Sequence, residues 1–237
     1  MLQTQAGKWR EVYDLLLSRL FFTIGMKMVP VLLGWYLYEK TGSAFLLGLL
    51  GLSEVIPAVL LALPAGVRAD TGHIRNIMTV NISVYLIILV TLLGITSTDE
   101  YEAWMTLVIF ALVGGTGVVR AFLSPCTSAL LGQVVNQEEL VEAASVSSMI
   151  WLLAAVVGPL LAGFFIGWLG ITFSLGLSFT SVLISLLFVR RLHDRPPVKV
   201  SSLRTWESVK EGLEFLKQQR ALTGTMGLDM FNFDGSR

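Results

Sequence analysis

Charged residues and cysteine are both scarce in this sequence. Only 14% of its 237 residues are Asp, Glu, Lys or Arg, whereas soluble domains carry about a quarter. A composition so poor in charge excludes an ordinary soluble domain. The single cysteine, Cys126, permits neither an intramolecular disulfide nor a cysteine-based metal cluster. Since His73 and His193 are the only histidines, we expect no zinc site and no cofactor.

The sequence also has no excess of either sign of charge. Seventeen Lys and Arg balance seventeen Asp and Glu, so nothing indicates a nucleic-acid partner or an acidic solvating tail. No nucleophile is paired with a base, and no phosphate-cradling loop or nucleotide site is recognisable. We therefore expect no catalytic residues and no enzymatic activity. Energy for any work would have to come from an ion gradient.

The sequence is rich in long apolar stretches, with 54% hydrophobic residues and a mean hydropathy of +0.72. A membrane-spanning helix needs roughly 20 apolar residues. Six such stretches are present, at about 15–38, 44–67, 77–97, 103–125 or beyond, 145–167 and 170–189. They lack the alternation of a transmembrane barrel, and open strands cannot satisfy their backbone in lipid. The sequence predicts an all-α membrane protein that folds as a bundle of six transmembrane helices.

The last two spans are predicted from one uninterrupted run. Residues 143–189 contain no charged side chain over 47 positions, which is too long for one crossing. Gly167 and Gly170 flank an interfacial tryptophan in the middle of this run, where they would supply a turn. We therefore predict a helical hairpin.

Basic residues in the short loops predict the orientation. They precede the first span, lie between the second and third, and follow the sixth, which places both termini in the cytoplasm of a multi-pass protein of the cell (inner) membrane. We expect a cytoplasmic tail at 1–13, the bundle at 14–190, a cytoplasmic linker with an amphipathic helix at 191–220, and a truncated start of a seventh helix at 221–237.

Several motifs resemble those of the major facilitator superfamily. The segment from Gly66 to Arg75 resembles its G-x-x-x-D-R-x-x-R-R signature, with Asp70 at the acidic position. Gly158-Pro159, followed by Gly163, resembles the antiporter motif of its fifth span. Together these residues are similar to the efflux branch that contains siderophore (enterobactin) and macrolide exporters.

The resemblance implies twelve spans in two six-helix halves around a substrate cavity, of which this sequence would supply the N-terminal half. Gly66 would allow close helix approach, Asp70 would cap or pair with a neighbouring helix end, and Arg75 would complete the charge cluster. The role of this motif would be conformational. Thr71 and Ile74 depart from the signature, and the alternative is a solvated loop with ordinary positive-inside charges.

The antiporter-like residues also have two readings. Glycine and proline at these positions remove side-chain bulk and a backbone donor, which allows a bend and tight packing. The alternative is a proline-kinked packing helix without a role in transport direction.

Arg19 and Lys27 interrupt the first predicted span, Glu54 the second and Arg120 the fourth, and the last three are the candidate functional residues. At 1.5 Å per residue Lys27 lies about 18 Å from the cytoplasmic boundary and Glu54 about 15 Å from the outer one, so their depths differ by about 3 Å in a core of about 30 Å. We predict an inward-facing ion pair between them. The pair either fixes helix register alone or makes Glu54 the proton-coupling site. Arg120 either snorkels to the headgroups or faces the cavity and attracts an anion.

These observations favour a proton-driven antiporter that exports small amphipathic compounds such as drugs or siderophores. The alternative is a membrane interaction or assembly protein without transport activity. The expected partners are the lipid bilayer, a small-molecule substrate, and either a missing C-terminal half or a second copy. We favour truncation, because the predicted linker and the opening of a seventh span follow the sixth, and we then expect the chain alone to be inactive in transport.

Overall fold

The computed structural model describes residues 5–98 and 102–194, and all regular elements within these ranges are α-helices. The helices are α1 (Gln5–Thr41), α2 (Ala44–Leu60), α3 (Ala62–Thr71), α4 (Ile74–Thr96), α5 (Ala103–Val134) and α6 (Gln137–Arg191). The all-helical fold class is confirmed. The predicted amphipathic helix at 205–220 and the predicted start of a seventh helix at 221–237 lie outside the described residues.

Six membrane crossings can be recognised in this arrangement. By length and composition α1, α4, α5 and α6 could each cross a membrane, and α2 with α3 forms a bent pair that passes the same test. The 55 residues of α6 are more than twice what one crossing needs. Its helix is interrupted at Gly170, whose φ of 76° and ψ of 177° are open only to glycine. Gly170 divides α6 into a first arm (137–169) and a second arm (171–191).

Contacts with α1 show that the two arms run in opposite directions. Both arms pack along α1. Residue numbers in the contacting pairs rise together on α1 and the first arm, whereas the numbers on the second arm fall as those on α1 rise. The pairs are Lys8 with Glu139, Arg19 with Ser147, Ser178 with Gly25, and Ser185 with Ser18. The arms therefore form the predicted hairpin, with its turn at the predicted glycine.

The second crossing is bent rather than straight. The axes of α2 and α3 meet at 49°, and the break falls at Leu61. Pro64 explains this position, because its ring would clash with the carbonyl of Leu60 in a continuous helix and it has no N–H to donate there. The second predicted span is therefore present but kinked, and the predicted loop after it is shorter than the sequence indicated. The chain remains helical to Thr71, and Gly72 and His73 connect it to α4.

The helices share a core built around α1. Its buried residues Leu15, Met28 and Leu32 belong to the same hydrophobic cluster as Ile82 and Tyr85 of α4. The helix begins at Gln5, well before the predicted start of the first span at about residue 15. This earlier start follows from burial, because Glu11 and Val12 already pack inside the bundle although they precede the apolar run.

Lipid-facing positions are apolar, as the sequence pattern requires. On α4 the exposed residues Val80, Val84 and Ile87 recur at helical spacing and form one stripe. The buried residues Met78, Ile82, Tyr85 and Leu89 recur on the opposite face. The division between core and lipid contact is therefore visible along this helix.

Candidate functional site

Glu54 is held in the bundle by Arg120. The carboxylate lies on α2 with 15% of its side chain exposed, and the Nη1 of Arg120 on α5 donates to its Oε1 over 3.1 Å. An ionised group at this depth costs at least about 2.5 kcal/mol unless it is paired or wetted, so this contact accounts for its burial. The predicted partner of Glu54 was Lys27, and that prediction is wrong.

Two glycines on α5 allow Arg120 to reach Glu54. A Cβ at Gly117 would overlap the backbone carbonyl of Glu54, and one at Gly114 would lie 3.5 Å from the carbonyl oxygen of Ser53. These small residues bring the backbones of α2 and α5 together. Arg120 follows Gly117 by three residues, which places it on the same helix face. Gly114 and Gly117 are therefore helix-contact positions.

Lys27 faces a different neighbour. Its Nζ lies 6.0 Å from the centroid of the Trp151 ring on the first arm of α6, at the outer limit of a cation–π contact. Its Cβ lies 2.8 Å from where a Cβ at Gly158 would be. Equal depth in the membrane is not sufficient for pairing, because α1 turns this face toward the first arm rather than toward α2.

Two cavities meet at the Glu54–Arg120 pair. The first, which we call the carboxylate cavity, has a volume of about 180 Å³ and is lined by Glu54, Tyr85 and Thr116 among others. The second, the guanidinium cavity, has a volume of about 190 Å³ and is lined by Arg19 and Arg120. Met26 lines both cavities. The ion pair therefore stands between two cavities, each of which is partly open.

A buried hydroxyl gives the carboxylate cavity a further polar group. Tyr85 is 1% exposed, and its hydroxyl has no hydrogen-bond partner among the described residues. A buried hydroxyl left unpaired costs about 1 to 3 kcal/mol. The cavity thus presents a carboxylate, and Tyr85 in its wall carries a buried hydroxyl without a partner in the described residues.

The sequence analysis did not single out Arg19 and Trp151. The guanidinium of Arg19 donates to the hydroxyl of Ser147 on the first arm, and its side chain lines the guanidinium cavity beside the Trp151 ring. Arg19 was detectable as a charge that interrupts the first apolar run. Trp151 gave no comparable signal, because apolar side chains fill its whole segment.

The signature-like residues are not brought together by the structure. Gly66 and Asp70 lie on α3, where a Cβ at Gly66 would meet open space within the described chain and Asp70 is exposed. Arg75, in the first turn of α4, donates to the backbone carbonyl of Arg190 at 2.7 Å. Within residues 5–98 and 102–194 Asp70 makes no ion pair with Arg75. The expected charge cluster is therefore absent there, and Arg75 instead ties α4 to the end of α6.

The three antiporter-like residues have different surroundings. Gly158 is buried, and a Cβ there would lie 2.8 Å from the carbonyl oxygen of Ile24. Pro159 follows inside the helix, whereas a Cβ at Gly163 would meet nothing within 4 Å. Of the two glycines, Gly158 allows the first arm to approach α1.

Polar contacts link the helix ends on one side of the bundle. Lys8 pairs with Glu139, and His73 Nδ1 lies 3.2 Å from an oxygen of Asp194. The hydrogen bond from Lys8 lowers the pKa of the Glu139 carboxyl below its ordinary value. No group of three or more His, Cys, Asp or Glu side chains suited to a metal ion occurs in the described part of the chain.

The transmembrane secretion effector family matches residues 10–231. The chain belongs to this family. Among solved structures it is similar to a bacterial homologue of the iron transporter ferroportin in the outward-facing state, with 21% identity and a TM-score of 0.62. The same protein in that state with soaked iron matches with 22% identity and a TM-score of 0.61. Each comparison covers 80% of this chain and 51% of the other chain.

At these identities the likeness shows the fold alone, and the chain spans about half the length of the solved structures that it matches. No curated protein matches the chain. The family match and the fold agree, because the helices that the structure describes fit one half of a major facilitator fold.

Proposed function

We propose that the chain is the N-terminal half of a proton-driven antiporter that exports small amphipathic compounds such as drugs or siderophores. The observation that carries the proposal is the position of the Glu54–Arg120 pair between the carboxylate and guanidinium cavities. Glu54 is the proposed proton-coupling residue. The family match supports membrane transport, and the pair supplies a group whose charge a proton can change.

Protonation of Glu54 would change the net charge between the two cavities. A neutral Glu54 no longer compensates the guanidinium of Arg120, and an unpaired charge inside the bundle is costly. Because Gly117 fits α5 closely against α2, the strain is relieved by a shift between these helices or by a new partner for Arg120. A water in the carboxylate cavity would satisfy the Tyr85 hydroxyl and carry the proton to Glu54.

We further propose that a second six-helix bundle covers the charged side of this one. The interior charges Arg19, Lys27, Glu54 and Arg120 lie on α1, α2 and α5, whereas residues 77–97 and the hairpin at 145–189 carry none. Arg120 is 41% exposed, which would be expensive against lipid. The covering bundle is either a C-terminal half or a second copy, and the exposed Asp70 is the residue that we propose to pair with it.

The orientation that we propose follows the positive-inside rule. Lys8, Arg75 and Arg190 lie at the same end of the bundle, where α1 begins and α6 ends. We assign this end to the cytoplasm of the cell membrane. Gly66, Asp70 and Arg75 would then act on conformational change from that side, and the bend near Gly158 and Pro159 would contribute to the direction of transport.

The experiment compares Glu54→Gln with Glu142→Gln, a control at an exposed acidic position on α6. In membrane vesicles that contain the chain, infrared difference spectra on acidification should show a carboxyl band that Glu54→Gln removes and Glu142→Gln retains. In cells, efflux supported by the chain with a second bundle should be lost in Glu54→Gln alone. Unchanged accumulation in cells that express the second bundle together with the intact chain or with either variant would contradict transport and favour an assembly protein.

A further inference from the structure

We propose that the guanidinium cavity binds an organic anion with an aromatic or apolar body. This inference deepens the proposed function, because it names the substrate class of the same site. It rests on the charge balance of the bundle and on the side chains that meet in that cavity.

The interior of the bundle has more positive than negative charge. Within the six predicted spans the ionisable residues are three cations, Arg19, Lys27 and Arg120, and one acid, Glu54. Glu54 is paired with Arg120, so its charge is already compensated. Two positive charges therefore remain without a carboxylate among the described residues.

Arg19 is the uncompensated cation that lines the cavity. Its partner is the neutral hydroxyl of Ser147, which accepts a hydrogen bond but does not cancel the charge. A guanidinium presents several N–H donors in one plane and binds carboxylate, sulfonate or phosphate oxygens in pairs. An anionic group beside Arg19 would offset the cost of its charge inside the membrane.

The remaining walls fit an apolar body with a few polar atoms. Phe22 from α1 and Trp151 from the first arm provide ring surfaces, and Thr23 and Thr127 provide hydroxyls. Apolar walls with a small number of convergent polar groups are the usual composition of a small-molecule site. The Nζ of Lys27, 6.0 Å from the centroid of the Trp151 ring, adds positive charge near this wall.

The same arrangement disfavours a cationic ligand. A cation in the guanidinium cavity would meet Arg19 and Arg120 but no carboxylate, because Glu54 lines the carboxylate cavity instead and its Oε1 already accepts from Arg120. Like charges brought together in a weakly solvated space repel strongly. The cavity therefore discriminates by the sign of the ligand's charge as well as by its apolar surface.

The test uses three probes that share one ring system and differ in charge: naphthoate, naphthylmethanol and naphthylmethylammonium. Their binding to the full chain in lipid nanodiscs is measured by equilibrium dialysis. We expect naphthoate to bind about tenfold more tightly than naphthylmethanol, and the ammonium probe to bind least. Arg19→Gln should remove the preference for naphthoate and leave naphthylmethanol within about twofold.

Two further variants separate charge from folding. Arg19→Lys retains the positive charge and should keep most of the preference for naphthoate, and Lys40→Gln, at an exposed position near the end of the same helix, should leave all three affinities unchanged. Equal affinities for the three probes, including no measurable binding of any, would overturn the inference. An equal loss for all probes in Arg19→Gln would also overturn it, because it would indicate a purely structural role.

The outcome is distinguishable from that of the proposed function. Preference for naphthoate without a titrating carboxyl at Glu54 would support anion binding and remove proton coupling. A titrating Glu54 without preference for naphthoate would do the reverse.

Discussion

Replacement of Gly158 by alanine tests the closest approach of the first arm of α6 to α1. The added Cβ would lie 2.8 Å from the carbonyl oxygen of Ile24 and 2.8 Å from the Cβ of Lys27, about 0.6 Å short of ordinary contact at 3.4 Å. The first of these atoms belongs to the backbone and the second is fixed directly to it. Neither can rotate away, so the helices themselves must separate.

The size of the effect follows from two opposing terms. Overpacking of a well-packed site costs about 1 to 3 kcal/mol. Alanine gains roughly 1 kcal/mol over glycine within a helix, which reduces the net loss. Gly163→Ala provides the matched control, because it gains the same helix preference on the same arm and its Cβ meets nothing within 4 Å. The difference between the two variants should therefore be about 1 to 3 kcal/mol.

The measurement is the free energy of unfolding in mixed dodecyl maltoside and dodecyl sulfate micelles, followed by circular dichroism. We expect Gly163→Ala to be as stable as the natural chain or more so, and Gly158→Ala to be less stable than both. If Gly158→Ala proved as stable as Gly163→Ala, the reasoning from close approach would be refuted.

Three other changes probe the hairpin and the helix ends. Ser178→Ala removes a 2.8 Å hydrogen bond to the carbonyl oxygen of Gly25 and should cost about 0.6 to 2 kcal/mol in the same unfolding assay. Gly170→Ala forces a side chain into backbone angles open only to glycine and should cost about 1 to 3 kcal/mol there. Because Lys8 lowers the pKa of Glu139, the stability from this pair should be present at neutral pH and disappear as the pH falls through the lowered pKa. Glu139→Gln should remove that part of the pH profile.

Neighbouring residues supply the controls. Ser148→Ala removes a hydroxyl that bonds only within its own helix, Gly167→Ala adds a Cβ in open space, and Glu138→Gln changes the adjacent carboxylate. Each control should change stability less than the variant it is paired with: Ser148→Ala less than Ser178→Ala, Gly167→Ala less than Gly170→Ala, and Glu138→Gln less than Glu139→Gln. A loss of stability in Ser148→Ala as large as that in Ser178→Ala, or a Gly170→Ala variant as stable as the natural chain, would contradict the assigned contacts. A pH profile unchanged in Glu139→Gln would remove the role given to Lys8.

Composition and span length were sufficient to predict the helical architecture. The hairpin in particular follows from the absence of charge over 143–189, because no single helix of that length fits a membrane. The bend in the second crossing could also have been predicted, from the position of Pro64. Pro64 is incompatible with a straight helix through Leu60, and it fixes the break at Leu61.

Residue counts along the sequence could not predict the partner of Glu54. Depth along a helix is readable from residue counts, but the direction in which a side chain points depends on which helices are neighbours. By count Arg120 lies about 25 Å from the outer boundary, roughly 10 Å deeper than Glu54. The close fit at Gly117 and the length of the arginine side chain close this gap. The prediction that Lys27 pairs with Glu54 rested on depth alone and took neither the close helix packing nor the length of the arginine side chain into account.

The position of α1 between the two arms of α6 has a consequence for biosynthesis. The ribosome makes α1 first, yet the residues that hold it, such as Ser147, Ser178 and Ser185, emerge well over a hundred residues later. Until then Arg19 and Lys27 have neither the hydroxyl nor the ring that accompanies them in the finished bundle. Pairing over such separations is slow because the intervening chain must be completed first. Until the arms of α6 are made, the two charges of the nascent first helix would therefore need water or another protein neighbour to offset their cost in the membrane.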